Sequence, residues 1–184
     1  MPKIIDHDEY REELLHQCFD LFAEEGYASL SMRRIADELD VSTGTLYHYF
    51  SGKEDLFNQL VELITCRDLF DAKEALKGAK TPDERIDALL RFVEERETYF
   101  LNQSFIWMDY YRHQVADRDP DPRLGETLEQ YRSGIARILD VRDPELAEFI
   151  LTVINGWVLQ RYFNRGKPPV ETLSRMLRRL IHGR

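Results

Sequence analysis

Residues 31–57 read SMRRIADELDVSTGTLYHYFSGKEDLF, and the fold of the chain is read outward from this stretch. Ser31 stands where a hydroxyl can cap a short helix ending near Leu39, with Ile35, Ala36 and Leu39 facing inward and Arg33 and Arg34 exposed. Ser42 can cap a second short helix running to about His48. Between them Leu39-Asp40-Val41 has to reverse the chain, and Asp adopts the left-handed backbone this needs more readily than most non-glycine residues. The small Ala36 lets the two helices approach, and Leu46 fills the space behind them, which is the layout of a helix-turn-helix. Ser51-Gly-Lys-Glu54 then has the spacing of a capping box, so a longer helix is expected from about residue 52 toward Gly78.

Helical punctuation continues on both sides. Upstream, Leu14, Leu15, Cys18, Phe19, Leu21 and Phe22 recur at three- and four-residue steps, with Gly26 positioned to end a helix over about 8–25. Downstream, Thr81-Pro82-Asp-Glu84, Asp121-Pro122 and Asp143-Pro144 each place a capping side chain before proline at the first helical position. Further helices are expected at about 82–99, 101–117, 122–139, 144–164 and 169–182. The expectation is an all-α chain of about nine helices. It divides into an N-terminal three-helix domain, 1–54, and a C-terminal helical domain, 55–184, bridged by the fourth helix.

Composition narrows the classes. A chain of 184 residues with 43% hydrophobic side chains can bury a core without metal or disulfide support. Cys18 and Cys66 lie far apart and outside any C-x-x-C spacing, no secretory leader opens the sequence, and no apolar run is long enough for a membrane span, so a cytoplasmic protein is expected. The formal charge of −9, from 25 basic and 34 acidic side chains, argues at first against nucleic acid. Eight of the acids, however, lie at or before Glu25, where an acidic helix face can point to solvent. Residues 31–53 are neutral, with Arg33, Arg34 and Lys53 balancing Asp37, Glu38 and Asp40.

If the second short helix is a recognition helix, its N-terminal residues Thr43, Gly44 and Thr45 meet the major groove, and Gly44 permits close backbone approach. Tyr47 and His48, one turn on, reach bases or phosphates, and Lys53 suits a phosphate at the positive end of the next helix. Tyr49 and Phe50 are expected in the core.

The run from Ile35 to Phe50 followed by Lys53-Glu-Asp-Leu56, together with the first helix and Gly26-Tyr27, resembles the DNA-binding domain of the TetR family of bacterial repressors. The resemblance implies an all-helical homodimer on double-stranded operator DNA, with an N-terminal helix-turn-helix and a C-terminal domain for a small-molecule effector and for dimerisation. Carried over by position, it assigns DNA contacts to Ser31, Arg33, Thr43, Gly44, Tyr47, His48 and Lys53, and with the cap residue Ser42 and with Thr45 these make the expected interface. Two positions depart: Asp40 stands where the family often has glycine, and Thr43 where it often has lysine, so one phosphate contact is expected to be absent.

The second domain resembles the family only in layout. In 101–117, Phe105, Trp107, Met108, Tyr110 and Tyr111 cover too much of the helix for a one-sided face, so some are expected to line the interior. With Phe92, Phe100 and Tyr131 they can enclose an apolar effector pocket, in which Arg112 or His113 orients an acidic head group; the expected effector is lipophilic or aromatic, and no cofactor is called for. A dimer seam is expected on the last two helices, through Phe149, Val153, Trp157, Leu173, Leu177 and Leu180, with Gly156 permitting close approach.

The rival reading is a helical metal- or small-molecule-binding protein in which the helix-turn-helix is only structural. Glu13-Leu-Leu-His16 is a lone Glu-x-x-His, and Asp109, His113 and Asp117 share a helix spacing that more often marks a polar stripe than metal ligands. Nucleophile elbows, P-loops, His-Glu-x-x-His and dinucleotide turns are absent, so no catalytic residue is assigned. Cys66, beside Leu63 and Leu69, is expected to be buried and inert rather than a redox sensor.

Overall fold

Capping side chains place the helices. In the computed structural model, which describes residues 6–114 and 122–182, nine α-helices and no strand are found among the described residues. They are α1 (His7–Glu25), α2 (Met32–Glu38), α3 (Thr43–Tyr49), α4 (Lys53–Ala75), α5 (Pro82–Glu95), α6 (Glu97–Gln114), α7 (Pro122–Leu139), α8 (Pro144–Phe163) and α9 (Val170–His182). Ser31 Oγ accepts from the Arg34 amide at 3.2 Å, Ser42 Oγ from the Thr45 amide at 2.9 Å, and Thr81 with Glu84 completes a reciprocal capping box before Pro82. Asp143 accepts from the Glu145 and Leu146 amides, as its position before Pro144 suggests. The expected cap at Asp121 and the end of the sixth helix near Asp117 lie outside the described residues.

Three boundaries differ from the sequence expectation. The box expected at Ser51 and Glu54 is displaced by one residue: α4 begins at Lys53, and Asp55 accepts from the Ser51 amide at 2.7 Å. α4 ends at Ala75, before Gly78, which adopts a positive φ of 96°. α5 and α6 part at Arg96 rather than near residue 100. No glycine or proline marks that break. Arg96 instead leaves helical geometry while its guanidinium lies over the ring of Phe92, one turn back, at 4.9 Å and reaches Asp71 of α4 at 2.7 Å, a contact between helices that local sequence does not encode.

The chain forms two packed units, whose boundaries fall inside α4 and α6. One consists of the described residues of Met1–Ile64 and Phe105–Asp121. Its core takes the expected apolar face of α1, together with Ile35 and Ala36 of α2, Leu46 of α3, Phe50, and Leu56, Phe57 and Leu60 of α4. Phe57 is central: its ring stacks on Tyr110 at 4.2 Å and meets Phe22 and Tyr27 edge-on at 5.5 and 5.0 Å. The turn between α2 and α3 is built as expected on Asp40, with φ of 54°, and the Val41 amide donating to the Ala36 carbonyl at 3.0 Å closes α2. Ala136 to Val141 repeats this device with Asp140 at φ 57° and the Val141 amide on Ala136.

The second unit consists of the described residues of Thr65–Ser104 and Pro122–Arg184. Here α7 packs on α8, and α5 packs on α7 and α9. α5 buries Ile86, Leu89, Leu90, Phe92 and Val93, and α9 buries Leu173 and Leu177. Arg161 pairs with Glu94 and Glu97 at 3.1 and 2.9 Å and covers the Trp157 ring, while Arg178 pairs with Asp83 and Asp87. No helix among the described residues is long and apolar enough to cross a membrane.

Candidate nucleic-acid interface

The caps, the Asp40 turn and the core at Leu46 and Phe50 together fix which side of α3 looks outward. Ser31, Arg33, Ser42, Gly44, Tyr47 and His48 are exposed, Thr43 and Thr45 are half-buried, and Leu46 and Phe50 are buried. The expected core residue Tyr49 is half-buried, with its hydroxyl 2.8 Å from His7 Nδ1. That contact places the first turn of α1 beside the end of α3, where His7 and His48 have ring centroids 5.8 Å apart. Thr45 Oγ1 lies 2.8 Å from Ser42 Oγ, so its hydroxyl also serves the cap.

The two neighbouring arginines of α2 differ sharply. Arg34 is tied to Glu25 at 3.1 Å and Glu38 at 2.7 Å, and these carboxylates raise its already high pKa. Arg33 is exposed and makes no ion pair among the described residues. A cation available to an incoming phosphate is therefore Arg33, whereas Arg34 neutralises acids of α1 and α2.

Lys53 is placed more deeply than the sequence suggests. Its ammonium donates to the carbonyls of Tyr27 and Leu30 at 2.8 and 2.7 Å and lies 4.2 Å from the Tyr27 ring centroid. Burial lowers its pKa, and Asp109 partly restores it. Asp109, on α6, also receives the Ala28 amide at 3.4 Å, and its Oδ2 lies 2.9 Å from where a Cβ on Gly26 would sit. The loop from Gly26 to Leu30 is thus held from one side by Lys53 and from the other by Asp109.

The residues expected to enclose an effector divide between the two units. Phe105, Trp107, Met108, Tyr111, Arg112 and His113 belong to the first, where Met108, Tyr111, Arg112 and His113 are exposed and Trp107 meets Phe57 edge-on at 6.3 Å. Phe92, Phe100 and Tyr131 belong to the second, with Phe92 and Phe100 in edge contact at 5.8 Å. Of the expected seam, Trp157, Leu173 and Leu177 are buried within this chain's own core, and Trp157 Nε1 donates to the Pro168 carbonyl at 2.8 Å. Phe149 and Leu180 are exposed, as are Met176, Tyr162 and Phe163, and Gly156 opens to space.

Sequence reasoning passed over Asp68. It is 3% exposed on α4, yet its Oδ1 accepts from the Tyr99 hydroxyl at 2.8 Å and its Oδ2 from Gln103 Nε2 and the Tyr131 hydroxyl, both at 2.7 Å. Burial raises its pKa above the ordinary 3.8, and the three hydrogen bonds oppose that rise. Burial and the neighbouring carboxylate keep both phenols neutral. An isolated acid on a helix ordinarily reads as solvated, although Val61, Ile64 and Ala72 at i−7, i−4 and i+4 mark its place on the apolar face.

Among the described residues no group of three or more potential ligands can hold a metal ion. Asp109 and His113 are 3.6 Å apart, and Asp117 lies outside the described residues. Cys66 is exposed, contrary to expectation, because Leu60, Val61, Ile64 and Asp68 take the inward side of α4 and turn it out. The buried thiol is Cys18, which desolvation pushes up to about 12.

Residues 14–60 match the family described as bacterial regulatory proteins, tetR family. The transcriptional regulator BetI of Brucella melitensis biotype 2 is 33% identical over 179 residues, covering 91% of this chain and 87% of that protein. Among solved structures, a transcriptional regulator from Streptomyces coelicolor A3(2) aligns with a TM-score of 0.72 at 25% identity, over 93% of this chain and 97% of that one. The Bacillus subtilis regulator FadR, solved with stearoyl-CoA, aligns with a TM-score of 0.66 at 18% identity, over 90% and 94%.

Proposed function

The chain belongs to the TetR family of bacterial regulatory proteins and is a DNA-binding transcriptional regulator, and from that premise we propose that it is a cytoplasmic repressor released from a palindromic operator by a small molecule. Its relatives are regulators rather than enzymes. The observation that carries the reading is the outward side of α3: Gly44, Tyr47 and His48 are exposed beside Arg33, while Leu46 and Phe50 anchor the helix from behind. In this reading α3 enters the major groove, Ser31, Arg33 and Ser42 meet the phosphates, and Thr43, Gly44, Thr45, Tyr47 and His48 meet base edges. Lys53 spends two of its three N–H groups on the Tyr27 and Leu30 carbonyls and keeps the third for a phosphate.

This reading requires a dimer, because two recognition helices must meet half-sites about 34–36 Å apart, or a multiple of it. The exposed apolar side chains Phe149, Phe163, Met176 and Leu180 on α8 and α9, with the half-buried Val153 and with Gly156 among them, form the proposed seam. Trp157, Leu173 and Leu177 support that surface from within. The effector acts by preferring one arrangement of the dimer, and its effect on DNA is bounded by that preference. A lipophilic or aromatic body is proposed for it, in keeping with the ring contact of Phe92 with Phe100 in the second unit and with the acyl-CoA held by the FadR neighbour. Sedimentation with a palindromic duplex and with a single half-site tests the assembly. Two chains per palindrome, reduced to a monomer by Phe149→Glu with Leu180→Glu, are expected; a wild-type monomer at micromolar concentration contradicts the dimer.

A further inference from the structure

Among the described residues of the second unit the buried charged side chain is Asp68, and no cation among them hydrogen bonds to it. Asp68 is 3% exposed, and its three donors, the Tyr99 and Tyr131 hydroxyls and the Gln103 amide, are all neutral. Arg96, the guanidinium that acts on it electrostatically, is committed to Asp71 at 2.7 Å. Buried carboxylates in folded proteins are ordinarily paired with a cation, since removing an ion from water is costly unless its charge is met. A carboxylate has about four acceptor positions, and the three donors leave one on Oδ1.

Two of its donors are phenols, and further rings continue from one of them. Tyr99 and Phe100 meet edge-on with centroids 5.2 Å apart, Phe100 meets Phe92 at 5.8 Å, and Tyr131 donates to Asp68 from α7. Ring faces attract cations, and this unit already uses the interaction where Arg96 covers Phe92. The basic side chains that the sequence offered for an acidic head group, Arg112 and His113, are exposed and belong to the other unit.

We propose that Asp68, with Tyr99, Gln103 and Tyr131, is the head-group site of the effector, and that the effector is an organic ammonium ion with an apolar or aromatic body. This rests on the reading of the chain as an effector-controlled regulator. The ammonium takes the remaining acceptor position of Asp68, the rings of Tyr99, Phe100 and Tyr131 face its positive charge, and the apolar body extends toward Phe92. Because Asp68 and Thr65 lie on α4, whose first half carries Lys53 and Phe57, the head group bears directly on the helix that also enters the DNA-binding unit.

The test is calorimetry and thermal shift on the full chain near neutral pH. The probes are alkylammonium ions from butyl to decyl and the phenylalkylammonium ions, each compared with the alcohol and the carboxylate of the same skeleton. Wild type is expected to favour the ammonium member of each trio by about 10- to 100-fold, the worth of a charged hydrogen bond. Asp68→Asn should abolish that preference and keep operator affinity. Equal binding of ammonium and alcohol, tighter binding of the carboxylates, or an ammonium preference that persists in Asp68→Asn overturns the proposal. Should Asp68→Asn fail to fold, the charge series on wild type decides by itself. Operator titrations run in parallel separate this proposal from the one beneath it: an ammonium bound through Asp68 without any change in operator affinity leaves the site standing and removes the effector-controlled reading, while operator binding with no ammonium preference does the reverse.

Discussion

The ammonium of Lys53 sits 2.8 Å from the carbonyl oxygen of Tyr27 and 4.2 Å from the centroid of the same residue's ring. One side chain at the start of α4 thus fastens the loop that follows α1, and it does so from the end of the helix that favours anions. Lys53→Met is expected to lose about 1–3 kcal/mol of stability, because the Tyr27 and Leu30 carbonyls lose a charged donor. If its third N–H meets a phosphate, the same variant lowers the salt dependence of operator binding by about one counterion. Denaturant melts and affinity across a salt series check the two effects separately.

Arg33 and Arg34 are adjacent in sequence and opposite in role. Arg33→Ala should weaken operator binding and flatten its salt dependence, whereas Arg34→Ala should change operator affinity far less, because Glu25 and Glu38 already occupy that guanidinium. Anisotropy titrations of both variants on one duplex suffice; equal losses would count against the assignment of Arg33.

Gly26 and Gly44 should respond oppositely to alanine. Gly26 has φ of 80° and ψ of 156°, a conformation nearly restricted to glycine, and an added Cβ would lie 2.9 Å from Asp109 Oδ2. Gly26→Ala is expected to cost about 1–3 kcal/mol. Gly44 lies within α3 with only Ser42 Oγ near an added Cβ, at 3.5 Å, so Gly44→Ala should stabilise the chain by about 0.5–1 kcal/mol while weakening operator binding. Melting curves paired with binding isotherms distinguish a glycine kept for the fold from one kept for what approaches it.

Asp68 gives the unliganded chain a pH dependence with a definite sign. Its folded pKa is raised, so between its ordinary 3.8 and the raised value the folded state holds more protons than the unfolded state. Its contribution to stability is therefore present at the acid end of that window and is lost as pH rises through it. Stability profiles of wild type and Asp68→Asn should converge in acid and separate in favour of the variant as pH rises, once the lost hydrogen bonds are offset. A separation of the opposite sign would mean that the three hydrogen bonds outweigh burial and lower the pKa of Asp68.

Much of this architecture is legible in the sequence because the helix ends carry their own chemistry. Ser31, Ser42, Thr81 and Asp143 cap where they were expected to, and Asp40 takes the left-handed turn assigned to it. These are local effects of a side chain on amides two or three residues away. The break at Arg96 and the burial of Asp68 are not local: each depends on partners on other helices, Asp71 for the first, and Tyr99, Gln103 and Tyr131 for the second. The exposure of Arg33 was likewise readable from periodicity, but its contrast with Arg34 depends on Glu25 at the end of α1. Trp157, Leu173 and Leu177 show the same limit, since an apolar stripe does not say whether its own chain or a second copy will cover it.

The most direct test of the regulator reading is selection of bound sequences from a random duplex library with the purified chain, followed by titration of the winner against wild type and the Thr45→Ala, His48→Ala double variant across a salt series. A palindromic winner is expected, with affinity falling about 10-fold or more in the double variant at every salt concentration, as loss of base contacts requires. No enrichment, or an enriched sequence bound equally well by the double variant, would contradict the assignment of α3 as the recognition helix.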